Sequence, residues 1–424
     1  MGQGITTYRI KRLEDAIAAM TNGEIKFGDS PSIDSFSRAR VSQPQGLFDC
    51  QLTYNLQPLV FEQLTAESGA AIAHNATNRS ATMTFADTPT GGYAYMQSYE
   101  YIRYQPGKSQ LAFVTFNFKE AVASVVKFAG YSDGSNGVEF RLDGTTKYVS
   151  IFSDSSLGDE SVSQSNWNLD TLDGNGDSEI TLDITKTQIL VIDLQALYAG
   201  RVRVGFDIDG SIIYVHEFLH ANKSAHPYIQ SASLPIRCGM SCTGTVSTTM
   251  EFICSSVISE GGQDDTHGFG FSATGTATAG NDTRVHILSV RPKTTFNSIT
   301  NRTQFQIESI ELIVTGNAPI KWELCIGQAI SGTTAFNDVN ATYSAFEYNT
   351  LGTISGSPAM VLAAGYVVSA AQTKGSVAHN IAVKAPITLS AAGAARILGT
   401  MSVIVTGLGA TSACRCIMNW KEIR

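Results

Sequence analysis

The chain has 424 residues, 43% hydrophobic and 16% charged, with 38 glycines and a formal net charge of −8. That length suits two or three domains, each with its own core, and the charged share falls below the ~25% of ordinary globular chains. An acidic chain with no Lys/Arg cluster repels a phosphate backbone, so nucleic acid is excluded as the expected partner. Low charge combined with much Ser, Thr, Gly and aromatic residue is how extracellular or virion β-proteins usually read.

The seven cysteines, Cys50, Cys238, Cys242, Cys254, Cys325, Cys414 and Cys416, are odd in number and sparse. They imply no disulfide framework and are expected as buried free thiols. The N-terminal MGQGITTYRIKRLEDAIAAM lacks the apolar core of a signal peptide. The longest apolar stretch, around Ala359–Ala371, is too short and too glycine-interrupted to span a bilayer, so no membrane insertion is expected.

In chain order, the first element is a helix over about Thr7–Met20. Ile10, Leu13, Ile17 and Met20 form an a/d seam over two heptads. Two heptads are marginal alone, so the helix needs a partner: its own domain, or an oligomer stem or anchor. Residues 1–28 are therefore read as a helical anchor. Residues 29–45, polar and with Pro31 and Pro44 near their ends, are read as a linker or extended arm.

From residue 46 the pattern becomes β. Short runs such as Ala81–Phe85, Tyr93–Tyr104, Ser109–Phe118, Val138–Leu142 and Thr248–Ile258 alternate with turn signals such as Asp133-Gly134, Asn136-Gly137 and Asp143-Gly144. This regular spacing predicts a sandwich or jelly roll over 46–261. Tyr93, Tyr95, Tyr99 and Tyr101 fall on one face of a single long strand, a stripe that suits a core, a subunit interface or a sugar platform. Asp173, Asn175 and Asp177 open like a calcium loop, but Ser178 and Ile184 stand where the EF-hand template wants Gly and Glu. A partial Ca²⁺ site and a polar turn are the two readings; no other cofactor is expected.

The stretch Arg201–Leu219 reads as two period-2 strands joined by Asp209-Gly210, a hairpin. It bears on the next motif, His216-Glu217-Phe218-Leu219-His220, an H-E-x-x-H match with His226 at the spacing of a third zinc ligand. Zinc chemistry needs both histidines one helical turn apart, about 6 Å along an α-helix. In a strand the pair is ~13 Å apart, beyond the reach of Zn–N bonds of ~2 Å. Lys223 also stands where the extended zinc motif wants Gly. The motif is read as a strand end, the chain as a non-enzyme, and no metal is expected there.

After the Gly/Asp-rich break at Glu260–His267, a second sandwich is expected over 262–424, with strands such as Arg284–Val290, Phe305–Val314, Lys321–Ile326, Met401–Thr406 and Cys414–Ile423. Its charge-poor middle, Thr350–Gly399, suggests an interface or a weakly specified tip. The expected fold class is therefore all-β: two β-sandwich domains, jelly-roll-like or concanavalin/laminin-G-like, with a short N-terminal helix.

Several phrases, SRARVSQP (37–44), YQPGKSQ (104–110), WNLDTLDG (167–174), TKTQILVIDL (185–194), GRVRVGFDIDG (200–210), ICSSVISEGG (253–262), RPKTTFNSITNR (291–302) and MNWKEIR (418–424), resemble a family of tailed-bacteriophage virion structural proteins. The resemblance implies a particle component assembled in the bacterial host cytoplasm, with other capsid or tail proteins as partners, and carries over no active-site residue. With the apolar stretches above, it leads to the expectation of a homo-oligomer, a homotrimer by analogy with phage proteins, on the particle exterior as a head decoration or accessory protein. The alternatives are a fibre or baseplate protein that binds a host receptor or surface glycan and, more distantly, a zinc hydrolase through residues 216–220.

Overall fold

A computed structural model of the chain describes residues 44–195, 197–261, 268–331, 335–368, 377–380 (backbone only) and 387–424. The seam residues Ile10, Leu13, Ile17 and Met20 lie outside the described residues. The chain divides into two compact units: Met1–Ser98 with Ile102–Gln263, and Tyr99–Tyr101 with Asp264–Arg424. Among the described residues the fold is all-β apart from a 3₁₀ turn at Gln164–Asn166, and no helix is long and apolar enough to cross a membrane.

The first unit is a sandwich of two antiparallel sheets. Across the seven-stranded sheet, in spatial order, run Glu160–Ser163, Thr146–Phe152, Gly137–Asp143, Val125–Ser132, Ile236–Cys242, Tyr93–Ser98 and Phe61–Ala66. The eight-stranded sheet runs from Ser211–Phe218 through Val202–Ile208, Gln188–Leu194 and Ser109–Asn117 to Val246–Glu260. The 15-residue Val246–Glu260 carries Ser80–Thr88 along one half and Pro44–Gln51 along the other. Ala70–Asn75 closes the far edge beside Ser80–Thr88. Alternation decides which side chains meet: Val138, Phe140 and Leu142 face inward from one sheet, and Val202, Val204 and Phe206 from the other. Phe140 stacks on Phe118 at 5.6 Å and meets Phe206 edge-on at 5.1 Å, tying the sheets together.

The expected hairpin is present. Ile208 pairs with Ser211, so Asp209 and Gly210 alone make the turn. Their φ values of +52° and +81° fit the type I′ geometry that matches strand twist. Asp207 supports the turn by accepting from the Gly210 N–H at 3.0 Å.

The second unit has its own core around Ile310, Leu312, Trp322, Val403 and Trp420. Its larger sheets have four and six strands among the described residues, the former centred on Gln304–Val314 and Ser412–Ile423, the latter on Arg284–Pro292 and Met401–Gly407. Buried Glu422 accepts from the Ala345 N–H at 2.8 Å and from Ser344, holding the loop before Phe346 onto the last strand. The described part of Thr350–Gly399 includes Met360–Val367, which among the described residues pairs only with Ile320–Ile326 and leaves Val361 and Tyr366 exposed.

The structure corrects the reading of Tyr93–Tyr104 as one strand. Pairing stops at Ser98, and Tyr99 and Tyr101 belong to the second unit. There Arg396 lies 3.2 Å from the Tyr99 ring centroid and Arg302 4.2 Å from that of Tyr101, while Gln304 donates to the Tyr101 carbonyl. These cation–π contacts outweigh continuation of the local alternation. Only Tyr93 and Tyr95 remain on the sheet face.

Candidate functional site

The H-E-x-x-H residues lie where the hairpin ends. His216, Glu217 and Phe218 close the strand Ser211–Phe218, and Leu219 and His220 follow it. The Phe218 ring contacts both imidazoles, at 4.6 Å from His216 and 6.5 Å from His220. His216 Nδ1 accepts from the Asn168 N–H at 3.2 Å. His220 places Nδ1 3.0 Å from the Gly200 carbonyl and Nε2 2.7 Å from Glu160 Oε1, leaving no nitrogen turned to a metal. His226 is exposed on the following loop. The motif is thus part of a packed aromatic corner, with His220 also stacked 4.2 Å from Tyr228.

Among the described residues no three His, Cys, Asp or Glu side chains gather as metal ligands would. The calcium candidates Asp173, Asn175 and Asp177 lie on an exposed turn. Asp173 Oδ1 accepts from the Thr171 hydroxyl at 2.7 Å and from the Asn175 N–H at 3.0 Å and so supports the turn, on which Asn175 and Asp177 are exposed. The seven cysteines are free and all but Cys254 are buried. Burial pushes the Cys50 and Cys416 thiols up to about 12, away from reactive thiolates.

Burial also pushes the imidazoles of His216 and His286 down to about 4. His286, in the second unit, is held neutral against Ser289 Oγ at 2.8 Å. Both folded pKa values lie below the unfolded ~6.5, so the unfolded chain takes up protons first. Their contribution is full above pH ~6.5 and is lost as pH falls toward 4, roughly 3 kcal/mol for each histidine. Thermal melts between pH 7.5 and 4.5 should show both units losing stability over that window. A melting temperature unchanged down to pH 4.5 would contradict it.

The strongest candidate for a binding site is the outer face of the seven-stranded sheet. Strand register sets two transverse rows there. One runs Gln97, Arg237, Gly130, Glu139, Ser150; the next, two residues along each strand, runs Tyr95, Gly239, Phe128, Arg141, Tyr148. With neighbouring strands ~4.8 Å apart, each row spans ~19 Å, the scale of an oligosaccharide rather than a single sugar.

The geometry within the rows is specific. The Arg237 guanidinium lies 4.5 Å from the Tyr95 ring centroid and 4.6 Å from that of Phe128. Its Nη1 donates to buried Glu139 at 3.3 Å. Gly239 makes this layer possible, since a Cβ there would stand 2.1 Å from Tyr95 Cβ. Tyr93 packs on Tyr95 at 5.4 Å, and Arg141 reaches back to lie 5.2 Å from the Phe152 centroid. Ser161 donates to Ser150 at 2.8 Å beside them. Tyr93, Tyr95, Arg141, Tyr148, Phe152 and Arg237 are partly exposed, while Glu139, Phe128 and Ser150 are buried among them. Nε of Arg141 and Nε of Arg237 are buried without a hydrogen-bond acceptor.

No protein-family model matches the chain, and no curated protein matches it. Solved structures do, over half of its length. A Bacillus licheniformis β-glucanase aligns at 14% identity and a TM-score of 0.30, covering 51% of this chain and 99% of its own. A winged bean acidic lectin, solved with methyl-α-D-galactose, aligns at 12% identity and 0.32, covering 51% and 99%. A carbohydrate esterase from the Shiga toxin-encoding bacteriophage phi24B aligns at 10% identity and 0.32, again covering 51% and 99%.

Proposed function

We propose that this protein is a non-enzymatic binding module whose seven-stranded sheet receives an oligosaccharide on its outer face. The observation that carries the reading is the pair of transverse rows: partly exposed Tyr95 and Tyr148 beside the partly exposed guanidiniums of Arg141 and Arg237, held over a buried polar layer of Gln97, Glu139 and Ser150. A pyranose offers C–H faces to aromatic rings and hydroxyl edges to polar groups, and aromatic side chains with a few fixed polar partners meet both needs. Binding is favoured over hydrolysis on this face. Glu139 and Asp143 project from the same strand four residues apart, ~13 Å, whereas paired glycosidase carboxylates stand ~5–9.5 Å apart. Glu139 is, besides, engaged by Arg237.

The resemblance of several phrases to tailed-phage virion proteins motivates the further proposal that the module works on a virus particle, where a host surface glycan is the natural ligand class and several copies act together. Screening the purified chain on a glycan array and titrating the best hit tests the binding reading. Tyr95→Ala should weaken that hit at least about tenfold with little change in melting temperature, since base- or sugar-facing aromatics commonly carry ~1–3 kcal/mol of a binding energy. An array with no specific hit, or a hit indifferent to Tyr95→Ala, would overturn it. Locating the chain in a particle reconstruction tests the setting.

A further inference from the structure

We infer that the ligand of this face is an acidic saccharide, one whose sugar ring carries a carboxylate, and that Arg141 is the residue that selects it. The inference rests on the binding reading above. Arg237 already has its counter-ion in Glu139 at 3.3 Å. Arg141 has none: among the described residues its guanidinium makes no hydrogen bond or ion pair, and its one recorded contact is the Phe152 ring at 5.2 Å. Its Nε is buried without an acceptor, which is costly to keep, while its Nη groups remain free to meet a ligand. Here Arg141 stands in a chain of net charge −8, opposite Tyr148 in register and one row from Ser150, which accepts from Ser161.

An arginine presents a planar fork of donors that matches a carboxylate with two parallel bonds. A ring stacked against Phe152 or Tyr148 would bring its carboxylate to that fork, and the exposed Ser161 hydroxyl would meet a neighbouring oxygen. Uronic and sialic acids have this chemistry; neutral hexoses do not. Arg141 is a specificity-determining residue in this account, because it decides among sugars that the aromatic row would otherwise hold alike.

The test uses the full chain and two matched pairs of probes: tetragalacturonate against its methyl ester, and 3′-sialyllactose against lactose. Affinities are measured by calorimetry at low and high salt. At least one acid should bind about tenfold or more tighter than its neutral counterpart, with the difference shrinking at high salt. Arg141→Gln should abolish that preference, leave the neutral sugar's affinity in place, and still melt cooperatively, since the one recorded contact of Arg141 is the Phe152 ring. Arg141→Lys should restore only part of the preference, since it keeps the charge without the fork. Equal affinities within both pairs, or a preference that survives Arg141→Gln, would overturn the assignment of Arg141 while leaving the sugar platform standing. Failure of all four sugars to bind, or binding that ignores Tyr95→Ala, would remove the platform and this inference together.

Discussion

Asp193→Ala should cost the first unit about 3–5 kcal/mol of unfolding free energy. Asp193 lies on the outward side of the eight-stranded sheet and is fully buried, as is Arg203 on the neighbouring strand. Its Oδ2 accepts from Arg203 Nη2 at 2.6 Å and from the Tyr214 hydroxyl at 2.9 Å, and its Oδ1 accepts from Ser109 Oγ at 2.8 Å. Arg203 also stacks 4.2 Å from the Tyr214 ring centroid. Removing the carboxylate takes this counter-charge from a buried guanidinium and this acceptor from two hydroxyls. The double change Asp193→Leu with Arg203→Met should recover much of the loss, because an apolar pair of similar volume needs no counter-charge. Urea unfolding of the three proteins measures this. A single variant within 1 kcal/mol of the wild type would show that the network contributes little.

Lys127→Met should be comparably severe. Lys127 points into the sandwich core from Val125–Ser132 and is 1% exposed. Its three N–H groups are shared among four acceptors, the carbonyls of Phe118, Glu120 and Thr249 and the Thr248 hydroxyl, at 2.7 to 2.9 Å. It therefore serves as an internal cap for the turn that follows Ser109–Asn117 and for the strand Val246–Glu260. Methionine fills the volume but donates nothing, so up to three carbonyls lose a partner at ~1–3 kcal/mol each where they stay dry. A loss of several kcal/mol is expected. A change within 1 kcal/mol would mean that water replaces the ammonium.

What the sequence disclosed and what it withheld follow from where the information sits. The hairpin at Asp209-Gly210 was legible because turn chemistry is local, and it correctly disarmed the His216–His220 spacing as a helical motif. Strands such as Val138–Leu142 and Ser109–Phe118 were legible from alternation. Ile236–Cys242 was not: IRCGMSC breaks its alternation with Gly239 and carries little β-branched character. That strand lies between Val125–Ser132 and Tyr93–Ser98 and supplies Arg237. Without it, the seven-stranded sheet and its outer rows could not be assembled on paper. Glu139 and Arg237 are 98 residues apart in sequence and meet only through register. Tyr93 and Tyr95 were noticed, but as half of a stripe whose other half, Tyr99 and Tyr101, is drawn away by Arg396 and Arg302, roughly 300 and 200 residues further on.

The central claim is that ligand contact occurs on the outer face of the seven-stranded sheet. The most direct measurement is a map of backbone amide shifts on titrating the isotope-labelled chain with its best array glycan. The account predicts perturbations clustered in Tyr93–Ser98, Val125–Ser132, Gly137–Asp143, Thr146–Phe152 and Ile236–Cys242. Perturbations confined to the eight-stranded sheet or to the second unit would contradict it.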